Sequence, residues 1–275
     1  LKLHRILNEM VAAKLEYVVL EVTSHGAYQA RTTGIKPIMA AITNLAHEHL
    51  DYHLDLKKYL QAKAIILNKS DQVLLNADDQ HYRALRDHLK HPSSQIKTYS
   101  QNCKLPTKIK KAMEQRFTEP YNWQNTILVY NLATELGLNE QEIAQGLTTF
   151  PQIKGRMQEI ETDQPFRVMV DFAHTPQAIG AALTALRQQL KQQKKSGRLI
   201  AVYGAAGLRD QAKRPLMGQV GAELADRVIF TAEDPRTEDV WSIIRQLKEG
   251  LSKNLNKVLS IADRKAAIEF ALTEL

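Results

Sequence analysis

Apolar positions along the chain follow a repeated alternation of helical and strand-like spacing. Residues 3–13 place apolar side chains at helical intervals, and YVVLEV at 17–22 is a short apolar run ending in polar residues. This predicts a helix followed by a buried strand. PIMAAITN at 37–44 predicts a second strand, 55–68 a helix with Asp55 near its start, and QVLLNA at 72–77 a third strand leading into Asp78 and Asp79. From 91 to 120 the periodicity fades, and only a strand near 95–100 is expected. Helices return at 123–138 and 140–149, the second with Glu140 and Glu142 in its first turn.

FPQIKGRM, with Pro151 and Gly155, reads as a linker and places a domain boundary there, giving domains 1–152 and 153–275. The same rhythm then restarts. RVMVDFAHTP is strand then loop, 176–194 a helix, RLIAVYGAAG strand then glycine turn, and 211–224 a helix. RVIFTAEDPR is again strand then loop, followed by a helix at 238–252, the strand VLSIA and a helix at 263–274. Continuously apolar strands alternating with helices predict α/β domains with mostly parallel sheets covered on both faces, the second of them Rossmann-like. In such sheets ligands sit beyond the carboxyl ends of the strands. Those ends carry Asp171 to His174, Gly204 to Asp210 and Glu233 to Arg236.

Composition narrows the class. With 44% hydrophobic and 24% charged residues, the 275-residue chain resembles soluble globular proteins, and no apolar run is long enough to span a bilayer. Membrane insertion is therefore not expected. The first residues lack a secretory pattern, and a single cysteine, Cys103, fits a reducing compartment, so a cytoplasmic location is expected. The start at Leu1 with an immediate helical pattern suggests a fragment. A net charge of +7 favours acidic partners. The basic runs 104–116 and 188–198 lack interleaved aromatics, so solvated helix faces are expected rather than a nucleic-acid surface.

The densest chemistry lies between Glu21 and Lys63. A carboxylate, hydroxyl, arginine, several histidines and a lysine crowd there, mostly at the ends of expected strands. His47, His49 and His53 invite a zinc reading, but no cysteine or HExxH pattern supports it; Glu21, an imidazole and phosphate oxygens suit magnesium better. From periodicity alone Lys63 reads as a residue snorkelling from an apolar helix face sooner than as a functional group. Arg31, after Ser24 and Gln29, is either an exposed loop residue or part of a phosphate clasp. GAAG at 204–207 is either a phosphate cradle or a tight connection.

In combination, the motifs resemble the Mur ligases, specifically the UDP-N-acetylmuramoyl-tripeptide synthetase (MurE) type. EVTSHGAYQAR, ITNLAHEHLDYH, YLQAK, NADD, YNWQN, KGRM, VDFAHTP, GLRDQAKRPLMG and EDPRTED stand in that family's order across nearly the whole chain. The resemblance implies an ATP-dependent amide ligase of peptidoglycan precursor synthesis, its central ATP-binding domain followed by a C-terminal ligase domain. A γ-phosphate passes to a carboxylate of a UDP-N-acetylmuramoyl-dipeptide, and the amine of a diamino acid attacks the acyl phosphate. The implied cofactors are ATP and Mg2+, with Glu21, His49 and a carbamylated Lys63 at the metal. Ser24, Gln29 and Arg31 would hold the UDP-muramoyl substrate. Asn44, Asn122, Asn125, Arg156, Asp171 and His174 would hold ATP, and Arg209, Asp234, Pro235 and Arg236 the amino acid. A monomer is expected, with no nucleic-acid partner.

Departures from the pattern bear on these expectations. No GxxGK[ST] phosphate loop occurs, and the family's N-terminal UDP-binding domain and later GHE-type motif are missing, so a truncated, inactive chain is expected. The 91–120 region is shorter than the family's insert, Gln158 follows GRM in place of an acidic residue, and Leu208 replaces the acidic residue of GDRD. EDPR stands where diaminopimelate-adding members have DNPR. Arg236 favours meso-diaminopimelate over lysine, whereas Asp234 works against that preference. The rival expectations are a folylpolyglutamate synthetase-like ligase and a non-catalytic nucleotide- or nucleic-acid-binding module.

Overall fold

A computed structural model describes residues 2–45, 55–117, 119–192, 197–251 and 254–273. The chain divides into two compact units, one formed by 1–117 and 122–148, the other by 118–121 and 149–275.

In the first unit, α1 (Lys2–Ala12) and the short α2 (Ser24–Tyr28) precede β1 (Met39–Ala41), α3 (Leu56–Leu67), β2 (Gln72–Asn76), α4 (Tyr82–Arg86) and β3 (Ile96–Tyr99). Helices α5 (Thr107–Arg116), α6 (Pro120–Glu135) and α7 (Glu140–Thr149) follow. The three strands form one parallel sheet in the order β1-β2-β3. Because strand side chains alternate between faces, Val73 and Leu75 pack with Tyr59, Leu60, Ala64 and Leu67 of α3. Leu74, between them, packs on the opposite face with Tyr99, Ile127 and Leu128. Asp55 caps α3 by accepting a hydrogen bond from the Lys58 N–H at 2.7 Å, as its place before an apolar periodic run predicts.

The expected strand at 17–22 does not form. Residues 15–23 have no helical or strand assignment, Val19 is 99% exposed, and Tyr17, Val18 and Leu20 are exposed beside it. An apolar run becomes a strand only where a neighbour satisfies its backbone, and among the described residues β1 pairs with β2 alone. Helix α5 is the converse case. Ile109, Ala112 and Met113 are buried at helical spacing, Ile109 and Ala112 against α7, while the lysines of the same helix face solvent.

The second unit contains β4 (Gln158–Ile160), β5 (Val168–Val170), α8 (Pro176–Gln192), β6 (Ile200–Tyr203), α9 (Lys213–Leu224), β7 (Arg227–Phe230), α10 (Val240–Glu249), β8 (Val258–Ser260) and α11 (Arg264–Thr273). Strands β6, β7 and β8 form a parallel sheet in that order. Val228 and Phe230 pack with residues of α8, α9 and α10, whereas Ile229 turns to Ala267 and Ala271 of α11. Helices therefore cover both faces, as the unbroken apolar strands predict. One strand departs from the expected pattern. β5 pairs antiparallel with β4, an element absent from the sequence reading, rather than with β6.

Candidate functional site

Three of the expected substrate-side residues lie around α2. Thr23 caps this helix by accepting a hydrogen bond from the Gly26 N–H at 3.0 Å; Ser24 is buried, and Gln29 and Arg31 are exposed at its far end. The Arg31 N–H closes the turn onto the Gly26 carbonyl at 2.9 Å, and Ala30 sits at φ 56. Helix α2 packs along α3, which carries Lys63. Lys63 is half-buried, its Nζ 5.8 Å from the centroid of the Tyr59 ring.

Glu21 is exposed on the unpaired segment before α2, and His47, His49 and His53 lie outside the described residues. The donor chemistry fits magnesium in part: the Glu21 carboxylate is a hard oxygen ligand, whereas Lys63 as an ammonium is none and would join only as a carbamate.

Asn44 is exposed in the loop after β1, with Oδ1 accepting from Thr43 Oγ1 at 3.2 Å. That loop is fastened by residues whose role the sequence reading missed. Asn76 donates to the Thr43 carbonyl at 2.8 Å, Asp79 accepts from the Leu45 N–H at 2.6 Å, and the Tyr99 hydroxyl donates to the Ile42 carbonyl at 2.9 Å. Burial, reinforced by Asp79 and Asp78, pushes the Tyr99 phenol above its ordinary range, so it remains a donor. NADD is thus a bracket for the Thr43–Leu45 loop. On α6, Asn122 is half-buried and Asn125 exposed, and the Asn122 carbonyl accepts from Thr126 Oγ1 at 2.8 Å.

In the second unit, GRM and DFAH converge. Asp171 accepts from the Met157 N–H through Oδ2 and from the Ala173 N–H through Oδ1, both at 2.8 Å. The Arg156 guanidinium stands 4.8 Å from the Phe172 ring centroid, and the Phe172 and His174 rings meet edge to face at 5.0 Å. Tyr121 feels the same cluster. Burial raises its phenol pKa, as do Glu119 and Asp171, with Arg156 opposing. Met157, at φ 43, holds this turn in a conformation that ordinary residues rarely adopt. The cluster offers an exposed carboxylate, a guanidinium and two stacking rings at one strand end. Such groups suit a ribose, a phosphate and a base.

The residues expected to hold the amino acid lie on two neighbouring strand ends. Gly207 donates its N–H to the Asp234 carbonyl at 2.8 Å, so that donor is taken by protein. A Cβ on Gly204 would lie 2.1 Å from the Thr231 carbonyl oxygen, and one on Gly207 would lie 2.0 Å from that of Pro235. Close backbone approach therefore accounts for both glycines. Arg209 is exposed, and Arg236, at φ 53, faces Asp234 at 3.5 Å. Beneath them Arg214 is completely buried, its guanidinium bonded to both Glu238 carboxylate oxygens at 2.6 and 2.8 Å. The hydrogen bonds from Arg214, followed by that from the Leu208 N–H, hold the Glu238 carboxyl down at about 2. The sequence reading did not single out Arg214 or Glu238. The signal for Arg214 was a charged residue at the second position of α9.

Models of the Mur ligase middle domain and of the Mur ligase glutamate ligase domain match residues 1–136 and 155–275, respectively. The chain belongs to the Mur ligase family. Among curated relatives, the UDP-N-acetylmuramoyl-L-alanyl-D-glutamate–2,6-diaminopimelate ligase of Synechocystis sp. is 34% identical, over 99% of this chain and 57% of its own length. The protein of the same name from Phocaeicola vulgatus is 34% identical, over 98% of this chain and 58% of its own. The chain thus spans rather more than half the length of these relatives. A solved structure bearing that ligase name is 29% identical with a TM-score of 0.50, covering 93% of this chain and 56% of that one. Folylpolyglutamate synthase of Mycobacterium tuberculosis shares the fold, with a TM-score of 0.65 at 17% identity over 88% of this chain and 57% of its own.

Proposed function

We propose that this chain carries the nucleotide and amino-acid sites of an ATP-dependent ligase that adds meso-diaminopimelate, in preference to L-lysine, to UDP-N-acetylmuramoyl-L-Ala-D-Glu. The curated relatives named above are diaminopimelate ligases, which supports the reading. In this proposal Asn44, Asn122, Asn125, Arg156, Asp171 and His174 hold ATP, and Ser24, Gln29 and Arg31 hold the UDP-muramoyl substrate. Glu21, His49 and carbamylated Lys63 hold Mg2+, which when bound neutralises phosphate charge. The chain's own groups orient the reacting carboxylate and amine, since phosphoryl transfer is governed by positioning and charge. The reaction belongs to the cytoplasm, where its nucleotide substrates are made; among the described residues no helix is long and apolar enough to cross a membrane. Because the relatives are much longer, the 275 residues are expected to bind ligands without completing turnover.

The observation that carries the amino-acid assignment is the Arg236–Asp234 pair at 3.5 Å, with side chains 35% and 64% exposed. The distal end of meso-diaminopimelate bears both a carboxylate and an ammonium. A guanidinium beside a carboxylate complements both, whereas the distal end of lysine offers only the ammonium and leaves Arg236 unanswered. Asp234, which from sequence argued against diaminopimelate, becomes the partner of its ammonium. Hydrogen bonds to charged groups contribute roughly 1.5–3 kcal/mol, so calorimetric titration of the chain should show meso-diaminopimelate binding at least about tenfold more tightly than L-lysine. Arg236→Ala should erase that difference. Equal affinities in the unsubstituted chain would reject the assignment.

A further inference from the structure

Arg214 is an unusual residue for its place. It occupies the second position of α9, whose first turn contains no acidic side chain and whose cap residue, Ala212, makes no side-chain cap bond. Cations are disfavoured at a helix N-terminus, and a fully buried guanidinium is costly without complete pairing. Arg214 nevertheless has no exposed surface. Its contacts show what it does. One terminal amino group donates to Glu238 Oε1 and to Gln246 Oε1 of α10, each at 2.6 Å; the other donates to Glu238 Oε2 at 2.8 Å and to the Ala206 carbonyl at 3.0 Å.

Glu238 lies in the second strand-end loop, and its carboxylate ties that loop to the first. Its Oε2 accepts from the Leu208 N–H at 2.9 Å, and its own N–H donates to the Pro235 carbonyl at 2.9 Å. Leu208 and Arg236, the two residues on either side of this junction, both have left-handed backbones at φ 52 and 53. Neither is a glycine, so each conformation persists only because its surroundings impose it. Arg209 directly follows the first, and Arg236 is the second.

We propose that Arg214 and Glu238 are a positioning pair for the amino-acid site, locking the Leu208 and Arg236 backbones so that the Arg209 and Arg236 guanidinium groups are set before the incoming diamino acid arrives. This rests on the reading of Arg209 and Arg236 as amino-acid contacts. The pair touches no substrate itself; it acts through the two loops. Preorganised donors lose less freedom on binding, so the pair sets affinity for the amino acid and leaves the nucleotide cluster around Asp171 unaffected.

The test uses the 275-residue chain and the variants Glu238→Gln, Arg214→Lys and Arg214→Met, with meso-diaminopimelate and ATP titrated separately at a temperature where each variant is folded by NMR dispersion. Glu238→Gln keeps the shape while removing the charge, and it decides the matter if Arg214→Met does not fold. Positive φ gives strong intraresidue amide–Hα cross-peaks, and those of Leu208 and Arg236 should weaken in Glu238→Gln. Affinity for meso-diaminopimelate should fall about tenfold or more with ATP affinity unchanged, and Arg214→Lys should retain part of it. Unchanged diamino-acid affinity in a folded Glu238→Gln chain overturns the pair's positioning role alone. A proportionate loss of both affinities reduces the pair to general stability and also overturns it. Failure of the unsubstituted chain to bind any diamino acid overturns the site assignment, and the proposal with it.

Discussion

Glu238 shows how a single carboxylate makes the second unit acid-sensitive. Its pKa falls from an ordinary 4.5 to about 2 through hydrogen bonds from Arg214 and Leu208. A carboxylate depressed in the folded state contributes stability that is complete above the unfolded value and is lost as pH falls through the folded one. Asp226 and Glu159 are shifted in the same direction. Burial of Asp226 opposes the shift but is outweighed by the Leu199 N–H and Arg187, and for Glu159 the hydrogen bond from Arg167 leads. Urea unfolding should therefore show stability falling between about pH 4.5 and 2, with a shallower dependence in Glu238→Gln. An equal slope in the two proteins would mean that the pairing does not lower the Glu238 pKa. The residues proposed for the site could be named from sequence because their types carry the chemistry. Arg214 could not be, because a charged residue beside an apolar helix face reads as solvated until its burial is known.

At the scale of elements, periodicity succeeded where a segment contained its own reason to fold. α3 has a capping aspartate and an apolar face, and β2 and β7 are unbroken apolar runs; all three form within a residue or two of their expected limits. Residues 17–22 have the composition of a buried strand, yet pairing is a property of two segments, and the partner is not written in either. Val19→Ser provides a test. At 99% exposure the substitution should change stability by no more than about 0.5 kcal/mol, whereas in a buried strand it would cost about 2 kcal/mol or more. A loss of that size on chemical denaturation would restore the strand. α5 escaped notice because its lysines mask Ile109, Ala112 and Met113, whose spacing carried the helical signal. β4, and with it the antiparallel pairing of the expected β5, was missed because a three-residue strand shows too little alternation to register.

Across the whole molecule, nine ordered motifs identified the family where each alone remained ambiguous, because residue order along a chain is far harder to reproduce by chance than one glycine turn or one arginine. In the second unit GLRD and EDPR lie at the ends of the neighbouring parallel strands β6 and β7, as a doubly wound sheet requires, whereas GRM and DFAH are joined beside the separate β4–β5 pair. The net charge of +7 then acquires a specific meaning. Arg156, Arg209 and Arg236 are exposed in loops at strand ends, where the proposed sites lie, while the lysines of α5 form an outward face. A basic nucleic-acid-binding module would place its excess charge differently and would lose affinity steeply as salt rises. Calorimetric titration of the chain with Mg2+–ATP and with meso-diaminopimelate, beside random-sequence DNA, separates the two accounts. The ligase account predicts saturable binding of both small ligands, Asp171→Ala losing only ATP and Arg236→Ala only the diamino acid. Absence of both, with salt-sensitive binding to DNA, would contradict it.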